Sequence, residues 1–221
     1  MNILGLDEAG RGPVLGPMVI GGIIIPEKKE KIIERMGVKD SKRVTPKRRA
    51  ILARKLTKMF EYELVEISAK EIDLLRTKGV NLNQIEKNAM KEIIEKLCGK
   101  FDVDKIIIDA LDVKEGRLQD QMQEFVGPDK EVIAEHKADD NYLAVGAASI
   151  IAKNERDRII EELNRDYIRR TKNRNGIGSG YPSDPKTKAF LKQYTYDEMP
   201  DFVRRSWGTV QKIKEFEENL Q

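Results

Sequence analysis

The sequence predicts an α/β protein with a small helical C-terminal extension. Three features carry that reading. Apolar runs of strand length, rich in Ile, Leu and Val, lie at 2–7, 18–25, 104–110 and 131–136. Longer segments between them place apolar residues at helical spacing. Near residue 170 the composition shifts to a basic, glycine-rich stretch followed by further helical patterns, which sets residues 1–170 apart from 171–221.

The first two runs, NILGLD and MVIGGIII, are separated by a Gly/Pro turn, and a hairpin is their simplest connection. In TPKRRAILARKLTKMF, Thr45 is placed to cap a helix with Pro46 at its first position. Ile51, Leu52, Leu56 and Met59 form its apolar stripe, and its other face is strongly basic. EYELVEIS reads as a strand, and NLNQIEKNAMKEIIEKLCG as a helix ending at Gly99. DKIIIDA, three isoleucines closed by Asp109, has the pattern of a strand buried on both faces in the parallel part of a sheet. A helix near 115–126 and the short strand EVIAEH follow. ADDNYLAVGAASIIAKNERDRIIEELNRDY is expected as one long helix whose small residues at 144–149 permit close packing. The basic loop RRTKNRNGIGSGYPSDP then leads to helices near 185–195 and 207–219.

The 221 residues are 39% hydrophobic, enough for a sizeable core, and 36% charged. Lys plus Arg (41) nearly balances Asp plus Glu (38), so the net charge of +3 implies interspersed surface charge, with nucleic-acid binding left to local basic clusters. One cysteine, Cys98, precludes an intramolecular disulfide and fits a reducing compartment. No signal pattern opens the chain, and MVIGGIII is far short of the roughly 20 residues of a membrane span. A soluble cytoplasmic protein with no membrane partner is expected.

Acids recur at strand ends. Asp7 and Asp109 each close an apolar run, and in open sheets ligands gather outside the carboxyl ends of strands. Asp139 or Asp140, after EVIAEH, can reach the same edge, and Glu8 is a fourth candidate. Neighbouring strand residues face opposite ways, so Glu8 joins Asp7 only if the strand stops or kinks between them, or if Glu8 offers its carbonyl. Taken singly, each acid reads first as a turn former or helix cap. Four together repel one another or take up protons unless a cation offsets them, and hard oxygen ligands without a Cys/His cluster select Mg²⁺ or Mn²⁺. The sole histidine, His136, reads as a hydrogen-bonding neighbour. GRGPVLG is superficially like a dinucleotide-binding turn, but Pro13 and a following strand replace the phosphate-facing helix. No GxxxxGK[ST] pattern occurs.

Five ordered blocks, GLDEAGRGPVLGP, GVKDSKRVTPKRR, IIIDA, AEHKADDNYLAVGAASIIAK and GSGYPSDPKTKAFL, with VRRSWGT near the C-terminus, resemble those of the type 2 ribonucleases H, most closely the archaeal ribonuclease HII family. The resemblance implies a ribonuclease H-like fold, with a central five-stranded mixed sheet flanked by helices and a C-terminal helical extension that helps hold nucleic acid. It implies an endoribonuclease that hydrolyses the RNA strand of RNA–DNA hybrids and cuts 5′ of single ribonucleotides in duplex DNA, leaving 5′-phosphate and 3′-hydroxyl ends. Asp7, Glu8, Asp109 and Asp139, the acid directly after "KA", are implied as catalytic ligands of two Mg²⁺ or Mn²⁺ ions. Gly10, Arg11 and Gly12 are implied to read a 2′-hydroxyl and Tyr181 to stack on the next sugar. Lys42, Arg49 and Lys153 are implied to contact phosphates. Within VRRSWGT, Arg204 reads as a functional candidate and Trp207 as a core anchor of the extension. A monomer is expected, and a sliding-clamp partner is not readable from the sequence. Leu143 and Asn154 depart from the family pattern without removing a charged ligand. A junction resolvase of the same fold and a silent hybrid-binding module are the competing readings.

Overall fold

The computed structural model describes residues 1–110 and 115–220, with the backbone alone for Asp40, Ser41, Lys42 and Glu115. Five strands, β1 (Asn2–Ala9), β2 (Met18–Pro26), β3 (Tyr62–Ile67), β4 (Lys105–Asp109) and β5 (Glu131–Glu135), form one sheet in the order β3-β2-β1-β4-β5. β1 pairs antiparallel with β2 and parallel with β4, and β4 pairs parallel with β5, so the sheet is mixed. Central placement explains the uninterrupted apolar runs: the side chains of β2 are buried from Met18 to Ile25, as are those of Ile106, Ile107 and Ile108 in β4.

The helices are α1 (Glu30–Met36), α2 (Pro46–Met59), α3 (Ala69–Thr77), α4 (Leu82–Cys98), α5 (Glu115–Val126), α6 (Ala138–Asn141), α7 (Leu143–Thr171), α8 (Pro185–Leu191) and α9 (Gly208–Glu218). Thr45 caps α2 by accepting from the Arg48 amide, with Pro46 at the first turn. Two helices, α1 and α3, go beyond the sequence reading. The long helix expected from residue 138 is two: α6 ends where Tyr142 turns extended (φ −122°, ψ 121°), and α7 starts at once. Among the described residues no helix is long and apolar enough to cross a membrane.

The chain divides into two compact units. The first comprises Met1–Ala9, Val19–Val65 and Asn83–Glu155; the second comprises Gly10–Met18, Glu66–Leu82 and Arg156–Gln221. In the first, Ala144, Ala147, Ala148 and Ile151 of α7 pack with Ile3, Ile23, Ile25 and Ile107 of the sheet and with Leu52 and Leu56 of α2. Glycine is required where α7 approaches: a Cβ on Gly5 would lie 2.2 Å from the Ala144 carbonyl carbon, and one on Gly21 2.9 Å from the Ala148 oxygen. In the second, Val14, Leu15, Tyr167, Ile177, Phe190 and Val203 form a separate core, with Tyr167 edge-on to Phe190 at 5.2 Å and Trp207 partly buried against it.

Candidate active site

In the first unit, Leu6 of β1 pairs with Ile108 of β4 in parallel register, so Asp7 and Asp109 emerge side by side at the carboxyl ends of adjacent strands. Asp109 Oδ1 accepts the Ala138 amide at 2.9 Å, which ties β4 to the start of α6 and brings Asp139 alongside. Lys137, which leads into α6, holds φ at 60°, a left-handed conformation that costs a lysine energy and recurs at functional sites. One carboxylate oxygen from each of Asp7, Asp109 and Asp139 lies within 4.8 Å of the others. Asp7 and Asp139 are buried and Asp109 half-buried, whereas Asp140 is exposed.

Glu8 is not in that group. β1 does not stop between Asp7 and Glu8: both pair with β2, opposite Gly21 and Ile20, and the alternation of the strand continues through them. The Glu8 amide donates to Asp7 Oδ1 at 2.8 Å, while its carboxylate feels Asp7, Asp109 and a further buried acid, Glu86 of α4. Among the described residues Glu8 Oε2 is buried without a hydrogen-bond partner. Nothing in the pattern of strand-end acids pointed to Glu86, which sits on the buried stripe of its helix.

Burial raises the Asp7 carboxyl to about 7, and Asp109 adds to the rise. Ser149, the Lys153 ammonium and the Glu8 amide oppose it. Among the described residues Ser149 Oγ has no hydrogen-bond partner, so its influence on Asp7 is that of a nearby dipole. Burial also lifts Glu8 well above its ordinary value, reinforced by Asp7 and then by Glu86. Crowded, desolvated carboxylates with hard oxygen donors fit a divalent cation of the Mg²⁺ or Mn²⁺ type, whose charge offsets what burial and mutual repulsion disfavour.

These shifts set a pH dependence. Both carboxyls hold protons more tightly when folded, so their contribution to metal-free stability is full below about pH 4, and the part due to Asp7 is lost as pH rises through about 7. The melting temperature of chelator-treated protein is expected to fall between about pH 5 and pH 8, with Asp7→Asn flattening the slope and Mg²⁺ restoring more stability at the upper end. A melting temperature that Asp7→Asn leaves with an unchanged slope would refute this account.

The remaining substrate-binding candidates divide between the units. Lys153 is half-buried on α7 in the first unit, and its charge reaches Asp7. Arg49, on α2, donates Nη2 to the Val44 carbonyl at 3.2 Å. The Lys42 side chain lies outside the described residues. In the second unit, Gly10 adopts φ 84°, and a Cβ there would meet Arg156 Nε at 2.3 Å. Gly12 adjoins Tyr181: a Cβ on it would stand 3.7 Å from Tyr181 Cε1. Tyr181 is 46% exposed, and the buried Arg156 guanidinium sits 5.8 Å from its ring centroid while donating to the Leu15 carbonyl at 3.0 Å. A groove of about 440 Å³ beside the loop is lined by Arg11, Gly12, Arg76, Trp207 and Gly208. Arg156 and Arg204, both buried, support this loop. Burial pulls Arg204 down to about 9, with Arg156 contributing and Asp73 opposing, so it stays charged at neutral pH.

A mixed five-stranded sheet of this order, with carboxylates clustered at the carboxyl ends of adjacent parallel strands, defines a ribonuclease H-like hydrolase. The comparisons narrow the class. The model of the family described as Ribonuclease HII matches residues 4–210. The ribonuclease HII of Methanobrevibacter smithii is 59% identical over 214 residues, covering 97% of this chain and 99% of that protein. The ribonuclease H2 of Pyrococcus horikoshii superposes with a TM-score of 0.86 at 41% identity, covering 98% of each chain. The RNase HII of Archaeoglobus fulgidus, solved in complex with PCNA, has a TM-score of 0.82 at 37% identity, over 94% of this chain and 95% of that one. The chain belongs to the ribonuclease HII family: it is a type 2 ribonuclease H, an endoribonuclease of RNA–DNA hybrids.

Proposed function

We propose that this enzyme cuts 5′ of single ribonucleotides in duplex DNA as well as within RNA–DNA hybrids, using two divalent cations at Asp7, Glu8, Asp109 and Asp139. The observation that carries the reading is the approach of Asp7, Asp109 and Asp139 to within 4.8 Å of one another in a largely buried setting. Bound Mg²⁺ or Mn²⁺ would supply an activated water and charge for the departing 3′-oxygen, giving 5′-phosphate and 3′-hydroxyl ends. Asp7 and Asp109 would hold the cations from the sheet and Asp139 from α6. Glu8, on the other strand face, would act through one oxygen or its carbonyl. Lys153 would limit the negative charge at Asp7, and Lys42 and Arg49 would meet phosphates.

Ribose recognition falls to the second group of residues. Gly10, Arg11 and Gly12 would offer backbone groups to the 2′-hydroxyl, which is what separates RNA from DNA at one nucleotide. Tyr181, half-exposed beside Gly12, would stack on the following deoxyribose. Residues 1–170 would then be the catalytic domain and 171–221 the extension that grips substrate. The enzyme would work as a cytoplasmic monomer, with a sliding clamp as partner by likeness to the Archaeoglobus fulgidus protein.

Tyr181→Ala tests the division of labour. Losing a stacking contact of roughly 1–3 kcal/mol should slow cleavage at a single ribonucleotide by about one to two orders of magnitude, with a uniform hybrid less affected. Equal slowing on both substrates would remove Tyr181 from ribonucleotide recognition.

A further inference from the structure

The loop Gly10–Gly12 is held by its carbonyl groups, and one side chain does most of the holding. Arg204 is 0% exposed. Its Nε donates to the Gly16 carbonyl at 2.9 Å, Nη1 to the Arg11 carbonyl at 3.1 Å and Nη2 to the Gly10 carbonyl. The Trp207 indole N–H, from the next turn of chain, takes the Gly12 carbonyl at 3.0 Å, and the Arg204 guanidinium lies 4.6 Å from the centre of the indole. Every carbonyl of the Gly-Arg-Gly stretch is therefore fixed from one direction.

We infer that Arg204 is a positioning residue for ribose recognition, clamping the carbonyls of Gly10 and Arg11 so that the amides of Arg11 and Gly12 are aimed outward at the substrate. The inference rests on the reading of this loop as the 2′-hydroxyl reader. It follows from peptide geometry: in a trans peptide the carbonyl of one residue and the amide of the next point in opposite directions, and no peptide here is cis. Fixing Gly10 O turns the Arg11 amide away from Arg204, and fixing Arg11 O does the same for the Gly12 amide. The carbonyl of Gly12 precedes Pro13, which has no amide to aim, so the indole bond there only locks the end of the loop. Gly12 is exposed, and its amide has no hydrogen bond among the described residues.

Stability alone is a poor reason for this arrangement. Among the described residues Arg204 forms no direct ion pair, Asp73 acting on its charge without contact, and burying such a guanidinium is costly, whereas an apolar side chain of similar volume would fill the space without that cost. What an apolar residue cannot do is orient three carbonyls at once. Lysine cannot either, because its donors radiate from one atom while the guanidinium spreads Nε and both Nη in a plane.

The test is binding of a DNA duplex carrying one ribonucleotide, against the same duplex made wholly of DNA, measured with chelator present so that cleavage plays no part. The wild-type protein should prefer the ribonucleotide duplex. Arg204→Lys should lower that preference by about tenfold, and Trp207→Phe, which keeps an aromatic ring but loses the N–H together with part of the indole, should lower it less. If the wild-type protein has no preference, the reading of the loop fails and the inference with it. If the wild-type protein discriminates and both variants, folded by circular dichroism, discriminate as well, the inference alone is overturned. Should Arg204→Lys not fold, Arg204→Gln, which keeps one planar NH₂ donor and carries no charge, decides: an undiminished preference overturns the clamp, a diminished one sustains it.

Discussion

Asp109→Asn removes hybrid cleavage by at least about a thousandfold, a loss of several kcal/mol in charge stabilisation of the reacting phosphate. The fold survives, because an asparagine Oδ1 can still accept the Ala138 amide that Asp109 accepts at 2.9 Å. Asp7→Asn and Asp139→Asn are expected to do the same, since each deletes a charge from the group within 4.8 Å. Asp140→Asn, one position along but exposed, should leave the rate within about threefold of wild type, as surface substitutions away from a site usually do. Asp7→Asn carries a second signature: its neutral amide avoids the cost of a buried charge, so the metal-free variant should melt above the wild-type protein at about pH 8. Rates at saturating Mg²⁺ and melting curves with chelator check both. Near-normal turnover by Asp7→Asn or Asp109→Asn would dismantle the assignment, and interchanged phenotypes at 139 and 140 would shift it by one residue.

Valine at the two loop glycines should fail in different ways. Gly10 adopts φ 84°, and a Cβ there would stand 2.3 Å from Arg156 Nε and 2.7 Å from the Pro17 carbonyl oxygen, so the substitution strains backbone and neighbours together. A cost of about 2–4 kcal/mol is expected, enough to lower the melting temperature by roughly 5–10 °C in a chain of this size. Gly12 has no positive φ, and the nearest atom to an added Cβ is Tyr181 Cε1 at 3.7 Å, an ordinary contact. Gly12→Val should keep its melting temperature within about 2 °C and yet cleave both substrates at least tenfold more slowly, because the added bulk stands where the ribose must come close to the backbone. Thermal melts and rates on a uniform hybrid and a single-ribonucleotide duplex separate the two effects. Wild-type cleavage by Gly12→Val would end the case for the loop as a ribose reader.

Much of this was legible in the sequence, for identifiable reasons. Three consecutive isoleucines before Asp109 marked a strand buried on both faces, and the glycines and alanines of Gly5, Gly21, Ala144 and Ala148 are the small residues that let α7 approach the sheet closely. Helix α3 has a start signal in Ser68 and Glu71, Ser68 Oγ accepting the Glu71 amide at 3.1 Å, but its nine residues directly after β3 are too few for a helical stripe to stand out. The break at Tyr142 was not readable because its cause is tertiary: the Tyr142 hydroxyl donates to Glu135 at 3.0 Å, and α6 begins on a bond from Ala138 to Asp109, 29 residues earlier in the chain. At the site, strand-end position marked Asp7 and Asp109 and the VRRSWGT block marked Arg204, whereas Glu86 and Arg156 gave no signal, since the partners that explain them, Glu8 and Leu15, lie far away in sequence.

The most direct test of the central claim is to map the products from a DNA duplex containing one ribonucleotide, incubated with Mg²⁺, with Mn²⁺ or with chelator. The account predicts a single cut on the 5′ side of the ribonucleotide, with 3′-hydroxyl and 5′-phosphate ends, only when a divalent cation is present and not in the all-DNA duplex. Cleavage that persists in chelator, or a duplex left intact under conditions where a uniform hybrid is cut, would contradict it.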